Sequence, residues 1–136
     1  MRTEADQWIE ELRRRHWVMV RWGPTHDPAL IAWVHDFGTC ADVILLRTWG
    51  EDRTQSVNGA TGYRTPSLPG AEIFNPEVVI FQYHSTAVRT LRAMLALPAP
   101  GTAGAPDHME QPQPPCRLPR HLPTPEVIRP LGMFTH

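Results

Sequence analysis

Three short stretches of this chain carry side chains that can do acid–base, metal or phosphate chemistry: Thr25-His26-Asp27, Glu51-Asp52-Arg53 and His84-Ser85-Thr86. A carboxylate orients a neighbouring imidazole and stabilises its protonated form, so His26, Asp52 and His84 are the candidate catalytic groups, with Asp27 as a second acid beside His26. The same trio, imidazole and carboxylate together, suits a divalent cation such as Zn²⁺ or Mn²⁺. Ser85 and Thr86 open a helix whose free amides favour a phosphate, and Arg53 offers a second anion contact. Asp27, Glu51, Arg53, Ser85 and Thr86 are thus the candidate ligand-binding residues. None of these spacings has the specificity of an HExxH helix or a phosphate loop. Asp27 and Ser85 or Thr86 also read as helix caps, and polar residues are expected wherever strands turn in solvent. A divalent metal is therefore admissible without being signalled, and no cofactor is identified.

What would hold the three stretches together is a small open sheet. Thr3 followed by Asp6 resembles a capping box and begins a helix to about His16, acidic at its start and Arg13-Arg14-Arg15 at its end, in keeping with the helix dipole. Trp17 to Trp22 reads as a strand closed by Gly23-Pro24. Asp27 as N-cap and Pro28 at the first helical position predict a second helix ending at Gly38, with Leu30, Trp33, Val34 and Phe37 on one face and His35-Asp36 on its polar side. Asp42 to Trp49 contains the continuous apolar run Val43-Ile44-Leu45-Leu46 of a strand covered on both faces, and Glu77 to His84 reads the same way. Ser85 or Thr86 caps a last helix to Leu97. The 27 residues from Gly50 to Pro76 show no strong periodicity, although Asn58-Gly59 suggests a hairpin from Thr54 to Tyr63.

A helix between two strands implies a right-handed parallel crossover. The expected fold is a small three-layer α/β unit with a three-stranded parallel sheet, in the order α-β-α-β-(hairpin or loop)-β-α. In such sheets ligands bind beyond the carboxyl ends of the strands, where the three stretches fall.

Ten of the 15 prolines lie after Leu97, with Gly101 and Gly104 among them. That composition divides the chain into a compact domain, 1–97, and an irregular, disordered proline-rich tail, 98–136. Within the tail, Pro112-Gln-Pro-Pro115-Cys-Arg117 fits the P-x-x-P-x-R pattern of a polyproline II ligand, making Pro112, Pro115 and Arg117 candidate partner-binding residues. All 13 basic residues are arginine, which excludes Schiff-base lysines and a phosphate loop ending in Gly-Lys. A net charge of −1 argues against nucleic-acid binding, whose best surface would be Arg13–Arg15 with Arg89 and Arg92. Cys40 and Cys116 have no paired metal-type spacing, the start of the chain reads as helix rather than leader, and no apolar run approaches the ~20 residues of a membrane span. A cytoplasmic protein with free thiols is expected.

Val18 to Asp27, a helix, and then Asp42-Val43-Ile44-Leu45 with Trp49 resemble the first strand, helix and second strand of the TIR and SEFIR group of small α/β interaction domains, over roughly the first half of the domain. The intervening helix is shorter than in that group, and no glutamate follows the third strand where catalytic TIR domains keep theirs. The sequence therefore points to an accessory, adaptor or regulatory module acting through a protein partner. The competing expectation is an enzyme acting on a phosphorylated or nucleotide-like small molecule at the strand ends. A weak nucleic-acid-binding regulator comes third.

Overall fold

The first helix, α1 (Glu4–Arg14), has Glu4 and Asp6 in its first turn and Arg13 and Arg14 in its last, each charge at the dipole end that favours it. It stops in a Schellman turn: Trp17 N–H donates to Leu12 O and His16 N–H to Arg13 O, both at 3.0 Å, with His16 in the left-handed region at φ 64°. The turn sets Leu12 and Trp17 side by side in the core and aims the chain into β1 (Val18–Trp22). The computed structural model describes residues 4–25, 28–47, 59–70, 72–119 and 122–128. After β1 come β2 (Leu30–Asp36), β3 (Cys40–Arg47), β4 (Gly59–Pro66), β5 (Phe81–Thr86), α2 (Ala87–Leu95), a 3-10 turn at Pro114–Cys116 and β6 (Pro125–Ile128). Among the described residues, no helix is long and apolar enough to cross a membrane.

The sheet is six-stranded, in the order β5-β4-β3-β2-β1-β6, and every neighbouring pair is antiparallel. This overturns the expected three-stranded parallel α/β unit. The difference originates in the expected helix over residues 28–38, where Leu30–Asp36 form strand β2 instead. Leu30, Ala32 and Val34 pack on one face, while Ile31 and Trp33 pack on the other. Burial on both faces erases the alternation that marks a strand, and the surviving apolar spacing imitates a helix. Gly38 is the pivot of the β2–β3 turn rather than a helix stop. Its φ is 90°, its N–H donates to Asp36 Oδ1 at 2.7 Å, and Phe37 N–H closes onto Cys40 O at 2.8 Å. With β2 a strand the parallel crossover disappears, and so does the likeness to the TIR and SEFIR arrangement.

Strand β4 falls in the stretch without periodicity, past the expected hairpin's turn, and six of its eight residues are buried. The strand expected over Glu77–His84 is β5, displaced toward α2, while Val79 makes an isolated bridge to Glu110.

The two faces of the sheet are covered differently. On one lie α1 and α2, enclosing Leu12, Trp17, Trp33, Ile44, Leu46, Ala60, Leu91 and Met94. On the other lies the chain after Leu97. From its bridge at Glu110, beside the β5 edge, it passes over the sheet, buries Cys116 against Val43, Leu45 and Tyr63, and ends as β6 on the far side of β1. The proline-rich segment thus forms a strap across one face. Prolines suit this role because the strap has no regular ladder of its own to lose until β6.

Gly62 fixes how closely α2 approaches the sheet. A Cβ there would lie 2.4 Å from Met94 Cγ and 2.6 Å from its Sδ, inside a packed core. Gly62→Ala is therefore expected to lower stability by about 1–3 kcal/mol in urea denaturation, the usual cost of overpacking. Combining it with Met94→Ala should give less than the sum of the two single losses.

Candidate functional site

Antiparallel pairing still gathers the strand ends that the sequence singles out. The register pairs Trp22 with Leu30, Leu30 with Arg47, Leu46 with Ala60 and Gly59 with Thr86. The ends of β1, β3 and β5 and the starts of β2 and β4 therefore share one end of the sheet. His26, Asp27, Glu51, Asp52 and Arg53 lie outside the described residues. His84, Ser85 and Thr86 are described, and they separate. His84 pairs with Thr61 under the strap, whereas Ser85 pairs with Ala60, whose side chain belongs to the helix-side core. Successive residues of a strand face opposite ways, so His84 and Ser85 serve different layers. Thr86 is the N-cap of α2, its side chain accepting Arg89 N–H at 3.3 Å. Among the described residues, no group of three His, Cys, Asp or Glu is placed to hold a metal ion.

Around His84 is a polar cluster that the sequence did not reveal. Gln82 is its centre: Oε1 lies 3.1 Å from His84 Nε2, 2.9 Å from Gln113 N and 3.5 Å from Cys116 Sγ. Gln82 Nε2 donates to Glu110 Oε1 at 2.8 Å and to Gln111 O at 3.0 Å. An acceptor at Gln82 Oε1 assigns the proton to His84 Nε2, so His84 Nδ1 accepts from Thr61 Oγ1 across 3.1 Å. Burial, then the nearby Arg47 guanidinium, push the His84 pKa down and favour this neutral imidazole. Arg47 reaches across the same face to donate to Pro115 O.

Chemically the cluster is closed. The imidazole lone pair is occupied by a hydroxyl. The Cys116 thiol is fully buried, and burial pushes its pKa up to about 11, leaving it protonated and a poor nucleophile at neutral pH. Tyr63, also fully buried, has its phenol pushed far up by burial and donates to Ile73 O. Arg47 and Gln82 bond the strap to β3 and β5, and Cys116 packs in one cluster with Tyr63 of β4.

The polyproline motif belongs to this arrangement. Pro112 and Cys116 are buried, Pro115 is half-buried under the Arg47 contact, and Arg117 is exposed. Residues 114–116 form a 3-10 turn rather than an extended polyproline II ligand. Offering Pro112 and Pro115 to an aromatic groove requires lifting this part of the strap.

A second cluster lies on the helix side. Arg64 and Asp42, about 1% and 2% exposed, form a bidentate pair: Nε to Oδ1 at 2.6 Å and Nη2 to Oδ2 at 2.9 Å. Arg64 Nη1 donates to Pro98 O at 2.8 Å, and the guanidinium lies over the Phe37 ring, 5.2 Å from its centroid. Burial lowers the Arg64 pKa, but the hydrogen bond and charge of Asp42 more than reverse this. For Asp42, burial pushes the carboxyl up against the downward pull of Arg64. Opposite Asp42 on β2, His35 packs between Trp17 and Phe37, with ring centroids 5.4 and 4.5 Å away. The position expected on the polar side of a helix is therefore half-buried. Burial lowers the His35 pKa, partly offset by Asp42 and Asp36. The available signal for this cluster was a charge at each of two positions, Asp42 beside a continuous apolar run and Arg64 between Tyr63 and Thr65.

Two consequences are measurable. Arg64→Met alone strands a buried carboxylate and should cost about 3–5 kcal/mol in urea denaturation, whereas Arg64→Met with Asp42→Leu should cost much less. The histidines carry the pH dependence: His35 and His84 have folded pKa values below that of the unfolded chain, about 6.5, so the unfolded state takes up protons first. Their contribution is complete above pH 6.5 and is lost as pH falls through the lower folded values. The urea midpoint should drop between pH 7.5 and 5.5, and His84→Gln should flatten that drop; an unchanged wild-type midpoint is the contrary result.

No family model, curated protein or solved structure matches this chain; the functional reading rests on its own geometry.

Proposed function

We propose that this chain is a small accessory or regulatory binding module, acting through non-covalent contact with a protein partner. The observation that carries this reading is the commitment of Gln82, His84, Thr61, Arg47 and Cys116 to one another and to the strap. Side chains that would have to move protons or attack a substrate instead hold a long irregular segment on a sheet. Cys40 and Cys116 are buried free thiols, which suits a reducing cytoplasmic setting.

One feature favours a second reading, an enzyme for a phosphorylated or nucleotide-like molecule: the ends of β1, β3 and β5 and the starts of β2 and β4 adjoin at one end of the sheet. Amide NMR of the full chain with Mg²⁺, Zn²⁺ and a nucleotide panel, alongside a phosphate-release assay, separates the two. The binding-module reading expects an unperturbed spectrum and no turnover. Shifts clustered at Trp22, Leu30, Arg47, Gly59 and Thr86, with turnover abolished by His84→Ala, would replace it.

A further inference from the structure

The outermost strand, β6, is held differently from the rest of the sheet. It pairs with β1 alone, in the register Trp22↔Pro125, Arg21↔Glu126, Val20↔Val127 and Met19↔Ile128. Three of its four residues are exposed, Val127 by 52%, and Ile128 is half-buried. A strand of four residues with one neighbour and little buried surface belongs to the low-stability end of a structure. Were β6 to lift away, β1 would become the edge, and the backbone donors and acceptors it now pairs with β6 would template any extended segment.

The side chains across this junction are unequal. Arg21 is the prepared half: 11% exposed, its Nε donates to Gly23 O at 3.1 Å while Nη2 meets Glu126 Oε2 at 3.1 Å. Glu126 is 65% exposed and rests on the surface. With β6 in place Arg21 is mostly covered and is held by Gly23 O, while the carboxylate it meets sits on the surface, so an acidic side chain on another extended segment can make the same contact. Ile128, two residues on and so on the same face as Glu126, lies opposite Met19, which packs against the helix-side core.

We propose that the β1 edge is a peptide-docking site, filled in cis by Pro125–Ile128. In trans it takes an extended segment of a partner protein carrying an acidic residue opposite Arg21 and a branched apolar residue two positions later, opposite Met19. The proposal rests on the binding-module reading and names its surface. Main-chain hydrogen bonds supply affinity and the two side-chain positions supply selectivity, the logic of β-strand addition. The chain's own segment is a tethered competitor at an effective concentration of roughly millimolar order, so a partner binds with an apparent affinity reduced by the fraction of open edge.

The test uses the full chain and, as probe, a fluorescently labelled peptide with the sequence of residues 122–128, read by anisotropy. Wild type should bind it weakly. Glu126→Arg, which sets two arginines against each other in cis, should raise the affinity at least about tenfold by freeing the edge. Adding Arg21→Ala to that variant should remove the gain. Affinity that Glu126→Arg leaves unchanged, or that survives loss of Arg21, overturns the proposal. If Glu126→Arg does not fold, amide hydrogen exchange on wild type decides: exchange in β6 much faster than in β3 supports an edge that opens, and equal protection overturns it. Failure here with no turnover in the phosphate-release assay leaves the binding-module reading standing without this surface. Turnover lost in His84→Ala removes that reading whatever the peptide does.

Discussion

The buried guanidinium of Arg64 ties three separate parts of this molecule to β4. Its fork grips Asp42 on the next strand, its third nitrogen holds Pro98 O where the chain leaves α2, and its flat face covers Phe37 in the β2–β3 turn. Arginine suits this position because its planar group presents several donors in fixed directions while tolerating an aromatic face, which an ammonium cannot reproduce. Burying a full charge pair costs heavily in desolvation, so the pair contributes less to net stability than to the choice of arrangement. A shifted β3–β4 register would leave both charges buried and unmatched. The starting point of the strap is set by the same interaction, through Pro98.

From Pro98 onward, the strap converts a one-sided sheet into a sandwiched one. β3 is buried on both faces only because Cys116 and its neighbours cover Val43 and Leu45 while the helices cover Ile44 and Leu46. Gln82 secures this cover from the β5 side by accepting from three donors, two of them on the strap. At the opposite edge the cover ends in β6, where the Arg21–Glu126 ion pair and a four-residue ladder take the place of the dense contacts of the centre. The strap is therefore firmly anchored at its middle and most loosely held at its last described strand, so local opening would begin there.

Elements whose signals are local were legible in the residues. The helix of Glu4–Arg14 follows from its charge gradient, β1 and β3 from β-branched and aromatic runs, and the start of α2 from Thr86. β2 was misread because Asp27-Pro28, Gly38 and the spacing Leu30, Trp33, Val34 are signals shared by a capped helix and by a strand covered on both sides. β4 was anticipated only as the second arm of a hairpin ending at Tyr63, because Gly59, Gly62, Arg64 and Pro66 interrupt the strand formers Thr61, Tyr63 and Thr65; it is buried as a middle strand between β3 and β5, and Gly62 is small because α2 lies on it. Of the candidate site, His84 and Thr86 were visible as polar residues ending a strand. Gln82, Thr61, Arg47 and Cys116 were not, since they come from four separate segments and meet only when the strap folds down.

By itself the amino-acid sequence determined where the chain can form helices and apolar strands, where it breaks, and which reactive groups it possesses. Those properties depend on residues within a few positions of one another. Tertiary structure alone decided that the strands run antiparallel, that His84 and Ser85 part to opposite faces, that Asp42 meets Arg64, and that a proline-rich segment becomes the second cover of the sheet. Each of these outcomes depends on which face of a strand is buried and against what. That is set by long-range pairing, where a single change of register exchanges core for solvent.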